Sequence, residues 1–135
     1  MAVGQPYKMF FIKKFFNKIY YKKYSKKSYS ISNVDLVLDR LFKDINQGVY
    51  IDIGCNHPFK YNNTYLLHKK GWHGINVDAD KSSIKLFNTF RKKDYNINCV
   101  LSDKEETKDF YFYHDRSAIN TLSKELVNSR KTKPA

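Results

Sequence analysis

From Gly48 onward, short apolar runs alternate with segments of helical pattern, and this alternation constrains the fold more than any other feature. "VYIDI" is a strand-like run ended by Gly54, and "NNTYLLHKKG" is a helical segment closed by Gly71. "GINVDA" is a second strand, "SSIKLFNTFRKK" a second helix with Ser82 or Ser83 near its cap, and "INCVLSD" a third strand. Strand, helix, strand, helix, strand at this spacing requires crossover connections. It predicts an α/β chain with a parallel sheet and helices on both faces. Alternation around Phe110 and Phe112 in "KDFYFYHD" predicts a fourth strand.

Upstream, Asn33 is placed as the N-cap of a helix over "VDLVLDRLFKDI", with Val34, Val37, Leu38, Leu41 and Ile45 on one stripe and Gln47-Gly48 ending it. The first thirty residues are different in kind. "MFFIKKFFNKIYYKKYSKK" sets Phe11, Ile12, Phe15, Phe16, Ile19 and Tyr20 on one helical face and Lys13, Lys14, Asn17 and Lys18 on the other. A basic amphipathic helix of this kind packs on a core, meets an anionic membrane surface through residues 9–24, or contacts nucleic acid. "SKKSYSISN" reads as a linker. The domain reading is residues 1–32 as segment and linker, 33–127 as the folded unit and 128–135 as a disordered tail.

At 135 residues, 41% hydrophobic and 16% aromatic, the composition is that of one globular domain. Lys and Arg number 25 against 13 Asp and Glu, a formal charge of +12. Such an excess draws phosphate backbones or anionic lipid without choosing between them, and it is equally the charge of a solvated surface. Cys55 and Cys99 form no C-x-x-C pair, and His57, His68, His73 and His114 are scattered, so no metal site is expected. The two thiols are expected reduced and buried. No apolar window is long enough to cross a membrane and no signal-peptide pattern is present, which makes the cytoplasm the expected location.

In parallel sheets, ligands bind beyond the carboxyl ends of the strands, where strand order reverses. The first expected strand end carries Asp52, Gly54 and Asn56, the second Asp78 and Asp80, the third Ser102 and Asp103. Asp78 stands 24 residues after Gly54 (54 to 78), close to the roughly 20-residue interval at which a carboxylate meets ribose hydroxyls. A pyrophosphate cofactor would need more glycines than Gly54 alone, and no G-x-x-x-x-G-K-[ST] occurs. A cofactor with ribose and base but no phosphate suits the turn better, and S-adenosylmethionine (SAM) is one. Its cationic centres also suit Asp52.

The stretch "YIDIGCNHPFKYNNTYLLHKKGWHGINVDAD" resembles the SAM-binding start of the FkbM-like methyltransferases. In the same way "LSDKEETKDFYFYHDRSAINTLSKE" resembles that family's third strand, the hairpin after it and a Ser/Asn-Thr-Leu-Ser segment. The resemblance covers about residues 48 to 126. It implies a Rossmann-like sheet and methyl transfer from SAM, typically to a hydroxyl oxygen of a sugar-containing or secondary metabolite. It further implies that Asp52, Gly54 and Asn56 line the methionine end of SAM, that Asp78 takes the ribose hydroxyls, and that Ser102 and Asp103 flank the adenine. Asp80 is read instead as the cap of the helix near Ser82, and Trp72 as a core residue.

A nucleophile-and-base pair at Cys55 and His57 is a weaker reading, because methyl transfer needs no covalent intermediate. No general base is assigned; His57 and His114 are the titratable groups nearest the expected strand ends. Asn62, Asn63 and Thr64 are expected to cap the first helix after Gly54. The family's usual later strands, which supply the acceptor pocket, are not matched. The chain therefore resembles the cofactor half of the enzyme, expected to be inactive unless another chain completes it. The alternative is a basic nucleic-acid-binding or membrane-surface accessory protein, although no K/R-G-F/Y-G or N-P-P-Y-type motif supports nucleic acid.

Overall fold

The computed structural model describes residues 27–135. The elements are α1 (Val34–Leu41), β1 (Val49–Ile53), α2 (Tyr65–Lys69), β2 (His73–Asp78), α3 (Lys81–Phe90), β3 (Tyr95–Asn98) and α4 (Lys124–Ser129). The three strands form one parallel sheet in the order β1-β2-β3. Its register sets Ile51 opposite Ile75 and Ile75 opposite Tyr95, and on the other face Asp52 opposite Asn76 and Asn76 opposite Asn96. The α/β class and the small parallel sheet are as the periodicity predicts. The basic amphipathic helix expected over residues 9–24 lies outside the described residues.

Among the described residues, helices cover one face of the sheet and not both. Tyr50, Leu67 and Trp72 form a buried cluster against which Leu38 and Phe42 of the α1 region pack. α3 lies on the same side, where Asn96 Nδ2 donates to Asn88 Oδ1 at 3.0 Å. The strand order explains this. Each added strand lies on the same side of the last, and right-handed crossovers in one direction put every connecting helix on one face. Covering the second face requires a reversal of strand order, which the described sheet lacks. Val49, Ile51, Ile53, Tyr95 and Ile97 are consequently exposed.

α1 is also turned from its expected orientation. Asp35 and Asp39 are its buried residues, while Val37 and Leu41 are exposed. Asn33 sits at φ +58° and makes no side-chain cap. Asp35 orders this end, accepting from Ser28 Oγ (2.7 Å), Tyr29 N (2.6 Å) and Ser30 Oγ (3.0 Å). Burial pushes the Asp35 carboxyl up, but these donors hold it below the usual carboxylate range. The end of the expected linker is therefore packed: Tyr29 O accepts from Asn62 N at 3.1 Å, and its ring meets Tyr65 edge-on at 4.7 Å.

β3 ends at Asn98, earlier than expected, because β2 ends at Asp78 and leaves nothing for Cys99 or Val100 to pair with. The fourth strand is reduced to one antiparallel bridge, Tyr111 with Thr121. Residues 103–109, just before that bridge, are all charged except Thr107, and Lys104 and Lys108 fold onto Glu106. Local ion pairs close that loop where a ladder would need an apolar face. The tail expected to be disordered folds back, with Ala135 N donating to Phe112 O at 2.8 Å and Lys133 Nζ to Val127 O at 3.1 Å. Among the described residues no helix is long and apolar enough to cross a membrane.

Candidate functional site

The turn after β1 is built from two left-handed residues, Gly54 (φ +71°) and Asn56 (φ +50°). It is pinned to the second strand, since Gly54 N and Cys55 N both donate to Val77 O, at 2.8 and 3.2 Å. Asn56 N then donates to Asp78 Oδ2 at 2.8 Å, and Asp80 N donates to Asp78 Oδ1 at 2.8 Å. The Asp78 carboxylate thus binds the two strand ends together. Each of its oxygens keeps a lone pair for a further donor. Asn98 Nδ2 donates to the carbonyls of Asp78 and Ala79, both at 2.9 Å, which draws the end of β3 to the same place. Above Gly54 the space is open, for a Cβ built there would meet nothing within 4 Å.

Asp52 stands just before this turn on the helix-covered face. Its Oδ2 accepts from Thr64 Oγ1 at 2.8 Å and from Asn62 Nδ2 at 3.0 Å. Behind these two lies Arg91, fully buried at 0% exposure. Its Nη1 donates to Thr64 Oγ1 (2.8 Å) and Tyr50 OH (3.2 Å), and its Nη2 to Asn62 Oδ1 (2.7 Å) and Pro58 O (2.7 Å). Tyr50 OH passes the chain on to Asp94 Oδ2 at 2.6 Å, which also accepts from Asn76 Nδ2 at 2.9 Å. Burial raises the Asp52 carboxyl above its ordinary range, against the opposing pull of Thr64, Asn62 and Arg91. Oδ1 of Asp52 accepts no hydrogen bond among the described residues.

A segment from the far end of the chain closes over the turn. Asn56 Nδ2 donates to Arg116 O at 3.2 Å, while Arg116 N and Asn120 Nδ2 donate to Asp80 Oδ2 at 2.6 and 3.2 Å. Asp80 also caps α3 through Ser82 N at 2.8 Å, as its position before Ser82 predicts. Burial pushes its carboxyl up, but Ser82, Arg116 and Ser83 together hold it below the usual range. Beside it a cavity of about 420 Å³ is walled by Ala79, Asp80, Phe110 and Phe112.

Four of the six expected site residues, Asp52, Gly54, Asn56 and Asp78, come together at the ends of β1 and β2. Ser102 and Asp103 do not join them through any described contact. They lie on the exposed loop after β3, where Ser102 Oγ donates to Glu106 Oε1 at 2.9 Å and Asp103 Oδ1 at 3.3 Å. The strand-order reversal expected at such a site is also absent from the described sheet, where β1 is an edge.

Cys55 and His57 form no nucleophile and base. Cys55 is 2% exposed, and burial with the nearby Asp78 and Asp52 charges pushes its thiol far up. His57 Nδ1 accepts from Phe59 N (3.1 Å) and Lys60 N (3.2 Å), so it builds the turn. Thr64 occupies the N-cap position of α2 but makes no side-chain cap, because its hydroxyl serves Asp52 and Arg91.

Arg91 and Asp94 were hidden in "RKKD", where a buried guanidinium looks like another surface cation. The only local sign was the polar cluster at Asn62 and Thr64 beside an acidic strand, which asks for donors. A separate cavity of about 890 Å³ opens at the opposite end of the sheet, lined by Gln47, Trp72, His73, Thr89, Lys92 and Lys93. It shares no residue with the strand-end cluster. No family model, no curated protein and no solved structure matches this chain.

Proposed function

We propose that this chain is the SAM-binding portion of a class I methyltransferase, similar to the FkbM-like enzymes. Its acceptor would be a hydroxyl oxygen of a sugar-containing or secondary metabolite. The observation that supports this most is the Asn56 N to Asp78 Oδ2 hydrogen bond. It brings an acidic β2 end against a left-handed Gly54 turn with open space above, the arrangement a ribose beside a charged tail requires.

Asp78 would accept from the two ribose hydroxyls with the lone pairs its backbone donors leave. Asp52 would turn Oδ1 toward the cationic methionine end. The aromatic walls at Phe110 and Phe112, next to Ala79, suit the face of an adenine. Bound SAM would supply an electrophilic methyl group. The protein's share is to hold the reactants in line and exclude water. A strand laid beside the free edge of β1 by a completing protein chain would wall the acceptor side.

Calorimetric titration with SAM and S-adenosylhomocysteine tests this reading. Wild-type chain should bind both, and Asp78→Asn should bind at least about tenfold more weakly, ~1.4 kcal/mol. Affinity for S-adenosylhomocysteine should hold between low and moderate salt, whereas a binder of phosphate backbones would lose affinity steeply. A folded wild-type chain that gives no binding heat removes the proposal.

A further inference from the structure

After α3, the stretch Arg91-Lys92-Lys93-Asp94 divides its charges between core and surface. Arg91 and Asp94 are buried, and Asp94 N donates to Arg91 O at 3.0 Å, so the turn is anchored at both ends. Lys92 and Lys93 stay exposed and line the cavity of about 890 Å³ at the end of the sheet away from Asp78. Neither lysine makes an ion pair among the described residues, and no described carboxylate lines that cavity. Asp94 is committed elsewhere, its Oδ1 accepting from Gly74 N at 3.1 Å and its Oδ2 from Tyr50 OH at 2.6 Å. The C-terminus of α3 offers only about half a unit of negative charge. A positive excess therefore remains at the cavity.

The other walls are aromatic and held in place. Trp72 Nε1 donates to Ile45 O at 3.2 Å, and a Cβ at Gly48 would lie 2.5 Å from the indole ring. Phe90 rests edge-on against Phe59 with centroids 4.9 Å apart, yet is 51% exposed. His73 and Gln47 add polar groups whose side chains make no hydrogen bond among the described residues. Small-ligand sites have this size and make-up, an apolar wall with a few polar groups that fix one end of the ligand.

An ammonium acts on phosphate as a point charge, and two unpaired ones match a dianion. Exposed aromatic rings take the π-face of a nucleobase. We propose that this cavity binds a nucleoside monophosphate group, its base on Phe90 beside Trp72 and its phosphate at Lys92 and Lys93. The group is a free nucleotide or the 5′-terminal nucleotide of a strand. The site is separate from the strand-end cluster, because His73 and Asp78 stand at opposite ends of β2, about 17 Å apart. It does not depend on the SAM reading.

Trp72 is the chain's one tryptophan, so its fluorescence reports on the cavity. The full chain is titrated with adenosine 5′-monophosphate (AMP), adenosine and inorganic phosphate, followed by that emission and by calorimetry. AMP should change the emission and bind at least about tenfold more tightly than either part alone. Lys92→Gln with Lys93→Gln should weaken AMP binding by about tenfold or more, with the circular dichroism unchanged. Phe90→Ala should weaken it severalfold, and Asp78→Asn should leave it as in wild type. A folded wild type that does not bind AMP overturns the proposal, as does adenosine binding as tightly as AMP. So does loss of AMP binding in Asp78→Asn but not in the lysine variant, which would place the nucleotide at the strand ends.

Competition against AMP identifies the source. Displacement by a trinucleotide only when it carries a 5′-phosphate supports a strand end, and displacement by mononucleotides alone supports the free nucleotide. A strand that displaces AMP equally well with and without its 5′-phosphate overturns the proposal, since the lysines would then serve any phosphate backbone.

Discussion

Arg91 reaches Asp52 through a single hydroxyl: its Nη1 donates to Thr64 Oγ1 at 2.8 Å, and that oxygen donates on to Asp52 Oδ2 at 2.8 Å. The guanidinium is wholly buried, and its two terminal nitrogens serve four acceptors. Arg91→Leu should cost about 3–5 kcal/mol, because Asp52 loses the cation behind it and four acceptors lose their buried donor. Arg91→Lys should recover little of this, since an ammonium cannot reproduce the planar fork. Urea denaturation measures both. An unchanged midpoint in Arg91→Leu would mean that the network is not what holds α2 and α3 to the sheet.

Asp52 sets a pH dependence of definite sign. Its carboxyl is raised in the folded chain, chiefly by burial. As pH rises through the carboxylate range, the folded state holds at Asp52 a proton that the unfolded chain has released, so the contribution of Asp52 to stability falls, opposite in sign to those of Asp35 and Asp80. Asp52→Asn keeps an oxygen for Asn62 and Thr64 without the buried charge. It should be more stable than wild type near neutral pH, with the gap closing as pH falls below the carboxylate range. Denaturation midpoints across pH decide this, and a wild type that is the more stable at neutral pH would contradict it.

Two glycines separate conformational cost from collision. Gly54 needs φ +71° but has open space around it, so Gly54→Ala should cost about 1–2 kcal/mol through the left-handed backbone alone. A Cβ at Gly74 would lie 2.0 Å from Tyr50 O, a main-chain atom of the neighbouring strand. Gly74→Ala should cost more, about 3 kcal/mol, because the strands must part. Thermal unfolding of the two variants should rank them in that order.

The cysteines should react at different rates. Cys55 is buried and its thiol is pushed up by that burial, whereas Cys99 is partly exposed. Only the thiolate is a good nucleophile. One thiol should therefore titrate quickly with 5,5′-dithiobis-(2-nitrobenzoate) at neutral pH, and the second only after denaturant is added. Two rapid equivalents in the folded chain would show that the turn after β1 opens.

The sequence alone determined what depends on near neighbours. Period-two runs around Ile51, Ile75 and Ile97 marked the three strands, and the Asp80 cap was legible because Ser82 stands two residues away. Trp72 was legible as core because a large apolar ring leaves water wherever it can, and it lies 7% exposed. Only the tertiary structure decided the rest.

Asn62 and Thr64 read as helix caps until Arg91, 27 residues beyond Thr64, arrives as their stronger partner. Val37 and Leu41 of the α1 stripe face outward while Leu38 packs on the core, because Asp35 and Asp39 find buried partners inward: Ser28, Tyr29 and Ser30 for Asp35, and the Lys70 ammonium for Asp39. Spacing along the chain gives the direction of each strand but not its neighbour. The order β1-β2-β3, and with it the one-sided helix layer, therefore emerges only when strands that are remote in sequence pair in space.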